Sequence, residues 1–124
     1  MVDSGGSQTL DEFWIDPFHS RQVQNLADAT GLSPTNIGNA VTGFLIAKWR
    51  YDGGDGSYPN ELAAVELQGD TPNQCFRAGD YVRLIRMDRV RKALRSKVRN
   101  FGMKAEDAAL KLADYLEHTY GQAA

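Results

Sequence analysis

The stretch from Arg21 to Tyr51 constrains the fold most, because its pattern predicts two helices separated by one glycine. Apolar residues recur at helical spacing on both sides of that glycine: Val23, Leu26 and Ala27 before it, and Ile37, Ala40, Val41, Phe44 and Leu45 after it. Gly31 suits the left-handed position that ends a helix, and Ser33 with Pro34 is a typical helix start. The second helix is therefore expected to bury one face and to turn polar residues outward, namely Thr35, Asn36, Asn39 and Thr42.

This predicted hairpin resembles the helix-turn-helix of DNA-binding regulators. The resemblance covers about a quarter of the chain and rests on small Ala27 at the helix crossing, Gly31 at the turn and branched Ile37 on the second helix. It implies that the second helix enters a groove of duplex DNA with the residues at its start: Ser33, Thr35, Asn36 and Asn39. Two features depart from the helix-turn-helix pattern. Gly38 lies on the outward side, where glycine disfavours a helix. No Lys or Arg that could contact phosphate occurs between Arg21 and Lys48. The alternative is a hairpin that only contributes to the core.

Prolines and glycines divide the rest of the chain into helical segments. All four prolines can open a helix, and glycines follow the expected helix ends. The pattern predicts a mainly α fold, a single-domain bundle of about five helices near 17–30, 34–51, 59–68, 72–100 and 104–120. With 124 residues, of which 42% are hydrophobic, the chain suffices for one core. Residues 1–12 are expected to be disordered, residues 13–121 to form the helical domain, and the apolar residues 13–15 to fold back onto it.

One segment leaves an alternative open. Val65 and Leu67 alternate with polar residues as in a β-strand, and DYVRLI at 80–85 could be the partner strand. A β-hairpin at about 61–86 would make the fold a winged helix.

Positive charge is concentrated in a short block of an otherwise acidic chain. The formal net charge is −2, yet residues 83–104 hold 9 Lys/Arg against 1 Asp/Glu. A narrow apolar stripe runs through the block at steps of three and four residues, and basic side chains flank it. Because like charges at i,i+4 repel each other, this arrangement favours an anionic partner. The predicted phosphate contacts are Arg83, Arg86, Arg91, Lys92, Arg95 and Arg99. The alternative is a solvated surface, or ion pairs with the acidic remainder of the chain.

The sequence contains no motif for catalysis. His19, His118 and Cys75 are far apart, so no metal-site spacing exists, and no nucleophile elbow, phosphate loop or dinucleotide fingerprint is present. We therefore expect no enzyme activity, no metal and no cofactor. The single cysteine, the absence of a signal peptide and the absence of a long apolar run predict a cytoplasmic protein without a membrane partner.

These observations predict a small nucleic-acid-binding protein. In the first interpretation, the helix from residue 34 faces a DNA or RNA duplex and the basic helix contacts phosphates, in a homodimer or a larger complex. A second interpretation is a non-catalytic helical subunit of a nucleoprotein complex that holds a nucleic-acid backbone; the small subunits of CRISPR effector complexes are similar in size, helicity and basic charge. A third is a regulator that binds an acidic protein.

Overall fold

The computed structural model describes residues 8–94 and 105–121. In this part of the chain, five α-helices, one 3₁₀ helix and three short strands follow one another. Their order is β1 (Trp14–Ile15), α1 (Ser20–Thr30), α2 (Pro34–Asp52), the 3₁₀ helix (Asn60–Ala64), β2 (Leu67–Gln68), β3 (Cys75–Arg77), α3 (Ala78–Ile85), α4 (Asp88–Leu94) and α5 (Ala105–Tyr120). The predicted mainly helical fold is therefore confirmed for the described residues.

The hairpin of α1 and α2 has the local structure that its sequence predicts. Gly31 adopts φ 78° and its N–H donates to the Ala27 carbonyl, which ends α1. The Ser33 side chain accepts a hydrogen bond from the Asn36 N–H, and Pro34 is the first residue of α2. Both boundaries at this turn are confirmed.

The start of α1 differs from the prediction, which placed it at residue 17. The Asp16 carboxylate accepts a hydrogen bond from the Phe18 N–H and so stabilises a turn instead of a helix. The helix begins three residues later, where the His19 Nδ1 atom accepts from the Gln22 N–H and acts as the N-cap.

The three strands form one small antiparallel sheet in the order β1-β3-β2. Phe76 on the central strand is opposite Ile15 on one side and Leu67 on the other. Ile15 and Phe76 are buried, and Phe13 stacks on Tyr120, so residues 13–15 do pack on the core as the sequence predicts. Just before them, residues 9–12 form a turn within the stretch expected to be disordered, in which the Glu12 N–H donates to the Thr9 carbonyl. The Gly79 N–H donates to the Leu10 carbonyl and so ties this turn to α3.

The predicted helix at 59–68 is wrong beyond its first turn. A 3₁₀ helix covers Asn60–Ala64, Val65 is extended, and Leu67–Gln68 pairs with β3. A hairpin thus does lie within 61–86, as the alternative required, but its second strand is Cys75–Arg77. The DYVRLI stretch at 80–85 belongs to α3, since a helix places Tyr81, Val82, Leu84 and Ile85 on its buried side.

The predicted helix at 72–100 is also wrong as one element. Its first residues form β3, and α3 and α4 are separated by a turn at Arg86 and Met87. The Arg91 guanidinium donates to the Ile85 carbonyl at 2.6 Å, which satisfies a carbonyl at the end of α3. Residues 95–100 of this prediction lie outside the described residues, whereas the last predicted helix is confirmed as α5.

Helix α2 lies at the centre of the core and contacts α1, α4, α5 and the 3₁₀ helix. It is buried on more than the one predicted face, because Gly43 and Ala47 are buried together with the residues of that face. An aromatic cluster joins α2 to the sheet and to α3: the Phe44 ring centroid is 4.8 Å from that of Phe76 and 5.1 Å from that of Tyr81. This cluster couples the strands to the helices that carry the basic residues.

The hydroxyl of Tyr81 is buried and has no hydrogen-bond partner among the described residues. Burial also raises the pKa of this phenol. We expect Tyr81→Phe to leave the free energy of unfolding unchanged or to raise it by up to about 1 kcal/mol, since it removes an unsatisfied polar atom without a cavity. Urea unfolding of both proteins measures the difference, and a loss above 1 kcal/mol would mean that the hydroxyl is bonded in solution.

Candidate nucleic-acid interface

The start of α2 exposes two of the four residues predicted to read bases. Ser33 and Thr35 are exposed, and the Ser33 hydroxyl oxygen accepts the capping hydrogen bond from the Asn36 N–H at 3.1 Å. Asn36 and Asn39 are only partly exposed. The polar surface that the start of α2 exposes is therefore smaller than the sequence predicts.

The position of α4 explains why Asn36 and Asn39 are only partly exposed. A Cβ atom on Gly43 would lie 3.6 Å from the Leu94 side chain, so the end of α4 packs against the middle of α2. Asn36 and Asn39 precede Gly43 by seven and four residues and share its helix face. The Asn36 Oδ1 atom is buried without a hydrogen-bond partner in the part of the chain that the structure describes. The predicted outward face is thus partly covered.

Four basic residues at three-residue intervals line the exposed side of α3, the following turn and α4. We call this set the basic face: Arg83, Arg86, Arg89 and Lys92. Their side chains are between 38% and 65% exposed. Arg89, which is the most exposed of them, was not among the predicted phosphate contacts.

Each residue of the basic face is paired with an acidic side chain. Lys92 lies 2.9 Å from Asp88 and Arg83 lies 2.9 Å from Asp80, both within one helical turn. The other two pairs join distant elements: Arg86 contacts Asp114, at 2.7 Å, and Glu117 on α5, and Arg89 contacts Glu61 on the 3₁₀ helix. The alternative that the sequence left open, ion pairs between the basic block and acidic residues of the same chain, therefore applies to the basic face.

These pairs perturb two of the ionisable groups. Hydrogen bonds to Asp114 and Glu117 raise the pKa of Arg86, and the hydrogen bond from Lys92 lowers the pKa of Asp88. Both shifts favour the charged forms of Arg86 and Asp88. Asp88, Asp114 and Glu117 are exposed, so solvent screens their pairs and each of these pairs is expected to stabilise the fold only weakly.

Arg91 does not belong to the basic face. Its side chain is 17% exposed and is bonded to the Ile85 carbonyl and, at 3.2 Å, to Asp88. Arg95 and Arg99, which the sequence places with it at four-residue intervals, lie outside the described residues. Of these three predicted phosphate contacts, the structure therefore places Arg91 alone, and it places Arg91 apart from the basic face.

The described residues bear on metal and thiol chemistry in two ways. They contain no group of three or more His, Cys, Asp or Glu side chains that could hold a metal ion. Burial raises the pKa of the Cys75 thiol, which disfavours a reactive thiolate. None of the helices described has both the length and the apolar character needed to cross a bilayer.

Comparisons of the chain with protein-family models, with curated proteins and with solved structures found no match.

Proposed function

We propose that this chain binds nucleic acid through phosphate contacts made by the basic face. The observation that carries the proposal is the exposed series Arg83, Arg89 and Lys92, whose side chains are 50%, 65% and 57% exposed. Guanidinium and ammonium groups form charge-assisted hydrogen bonds to phosphate oxygens. These bonds do not depend on the base sequence of the nucleic acid.

The ion pairs of the basic face are compatible with this role. Exposed pairs are weak, so a phosphate competes at small cost with Asp88, whose side chain is 62% exposed, for Lys92. Arg86 differs from the other three, because two carboxylates on α5 hold it. We assign to Arg86 the role of orienting α3 on α5, while the other three residues contact the ligand.

The charge of the neighbouring sequence also supports the proposal. Residues 95–104, which follow α4 directly, hold four Lys/Arg and no Asp/Glu. Along the chain, the positive charge of the basic face therefore continues into this segment. In contrast, the partial burial of Asn36 and Asn39 disfavours base reading by α2. We therefore favour contact with the backbone, as in a subunit of a nucleoprotein complex, over sequence-specific recognition.

The test uses a double variant, Arg89→Gln with Lys92→Gln, and a matched control, Arg50→Gln with Lys111→Gln. Both remove one Arg and one Lys, and Arg50 and Lys111 are exposed residues that do not belong to the basic face. Fluorescence anisotropy with random-sequence DNA and RNA, at several salt concentrations, gives the affinity and its salt slope. We expect the double variant to flatten the slope by up to about two units, at about 0.9 per phosphate contact, and the control to leave it unchanged.

Equal effects of the two variants would mean that binding depends on the net charge of the protein and not on the basic face. Absence of binding by the unaltered protein would remove nucleic acid as the partner and leave the acidic-protein regulator as the alternative. Thermal unfolding of each variant shows whether the loss of the contact between Arg89 and Glu61 disturbs the fold.

A further inference from the structure

A groove of about 290 Å³ lies between α1 and the end of α5, away from the basic face. Its apolar walls include Phe13, Tyr115 and Tyr120, and polar groups enter it from the first turns of α1: His19, Arg21 and Asn25. Phe13 and Tyr120 are 107 positions apart in the chain. Only the folded chain therefore creates this groove.

The walls of the groove are held in place by contacts within the protein. The rings of Phe13 and Tyr120 are stacked with centroids 4.8 Å apart and an interplanar angle of 22°. The side-chain amide of Gln22 donates to the Trp14 carbonyl at 2.9 Å and accepts from the Asp16 N–H at 2.8 Å, which ties the strand before the groove to α1. A ligand would therefore meet a preformed site, which reduces the entropy lost on binding.

The polar groups of the groove favour an anion. Among the described residues, no carboxylate lines it. Arg21 has no ion-pair partner within residues 8–94 and 105–121, whereas each arginine of the basic face has one. The His19 Nδ1 atom accepts the capping hydrogen bond, so the neutral ring carries its hydrogen on Nε2 and can donate. A guanidinium and an imidazole N–H, unopposed by acid, are donors suited to a phosphate group.

The remaining groups favour a planar aromatic ring beside that anion. Phe, Tyr and His rings are the side chains on which nucleobases stack. The Asn25 amide offers one acceptor and two donors, the combination that pairs with the edge of adenine. The volume lies at the lower end of the range for small-molecule sites, which suits one nucleotide and not a longer ligand.

We propose that this groove binds a single nucleotide, with its base among Phe13, Tyr115 and Tyr120, its phosphate on Arg21 and its base edge at Asn25. The nucleotide is either free in solution or part of a single strand. This site is independent of the proposed function, because no residue of the basic face lines it.

Titration calorimetry and the NMR signals of the Asn25 side-chain amide test the proposal with four probes: AMP, adenosine, inorganic phosphate and an eight-nucleotide oligoadenylate. We expect saturable AMP binding, with adenosine and phosphate each weaker. Arg21→Gln should weaken AMP binding about tenfold or more, because a charge-assisted hydrogen bond is lost, and Arg21→Lys should recover part of it. The matched control Arg50→Gln should bind AMP like the unaltered protein.

Tighter binding of the oligonucleotide than of AMP would assign the groove to a strand, and the reverse would assign it to a free nucleotide. The proposal is overturned if AMP does not bind at millimolar concentration, if Arg21→Gln binds it equally well, or if phosphate alone binds as tightly as AMP. The variant Arg89→Gln with Lys92→Gln separates the two proposals, since it should lose duplex affinity and keep AMP binding.

Discussion

Phe44→Ala is expected to lower the free energy of unfolding by about 3–5 kcal/mol, the largest loss that we predict for a single side chain in this protein. Phe44 is fully buried on the central helix. Its ring contacts those of Phe76 and Tyr81, so its removal leaves a cavity where α2, the sheet and α3 meet. The two surrounding rings, Phe76 on β3 and Tyr81 on α3, belong to different elements and cannot both move into that space. Urea unfolding followed by circular dichroism measures the change.

Phe18→Ala is the matched control, since it removes the same atoms from a side chain that is 46% exposed. We expect it to change the free energy of unfolding by less than about 1 kcal/mol. Comparable losses in both variants would mean that the aromatic cluster is not the centre of the core. A loss in Phe44→Ala alone would show that the packing at this junction sets the stability.

Gly69→Ala is expected to cost about 3 kcal/mol, because two effects add at this position. Gly69 follows β2 and has φ 101°, a conformation that residues with a Cβ atom rarely adopt. In addition, a Cβ atom there would lie 2.6 Å from the backbone carbonyl oxygen of Asn73, within the same hairpin. Relief of that contact requires a shift of the chain that leads into β3.

Gly54→Ala measures the cost of the backbone conformation alone. Gly54 has a similar φ of 91°, but a Cβ atom there would meet nothing within 4 Å. Thermal and urea unfolding of the two variants should therefore show a smaller loss for Gly54→Ala, and the difference measures the contact with Asn73. Equal losses would mean that the hairpin moves without resistance and that only the backbone conformation matters.

The stability of this hairpin bears on the proposed function. Strand β3 ends at Arg77, and α3 begins at the next residue, so the hairpin sets where the basic face starts. The other anchors of the basic face are the contacts of Arg86 with α5 and of Arg89 with the 3₁₀ helix. Salt weakens such exposed pairs, so high ionic strength should loosen these anchors as well as phosphate binding. For this reason the binding assay is paired with unfolding measurements at each salt concentration.

The sequence by itself determined the elements whose signals are local. Gly31, Ser33 and Pro34 set the turn between α1 and α2, because caps and left-handed glycines act within a few residues of the chain. The mainly helical class and the position of α5 follow from apolar periodicity in the same way. The block of positive charge at 83–104 is also visible without a structure.

Only the tertiary structure decided how these elements meet. The pairing of Phe76 with Ile15 and Leu67 turned the start of one predicted helix into a strand, since long-range hydrogen bonds and burial outweigh local helix propensity. The acidic partners of Arg86 and Arg89 lie 28 or more residues away, so no local pattern reveals that the basic block is paired. The groove between α1 and α5 likewise joins both ends of the described chain, because burial of apolar surface acts on proximity in space and not on distance along the sequence.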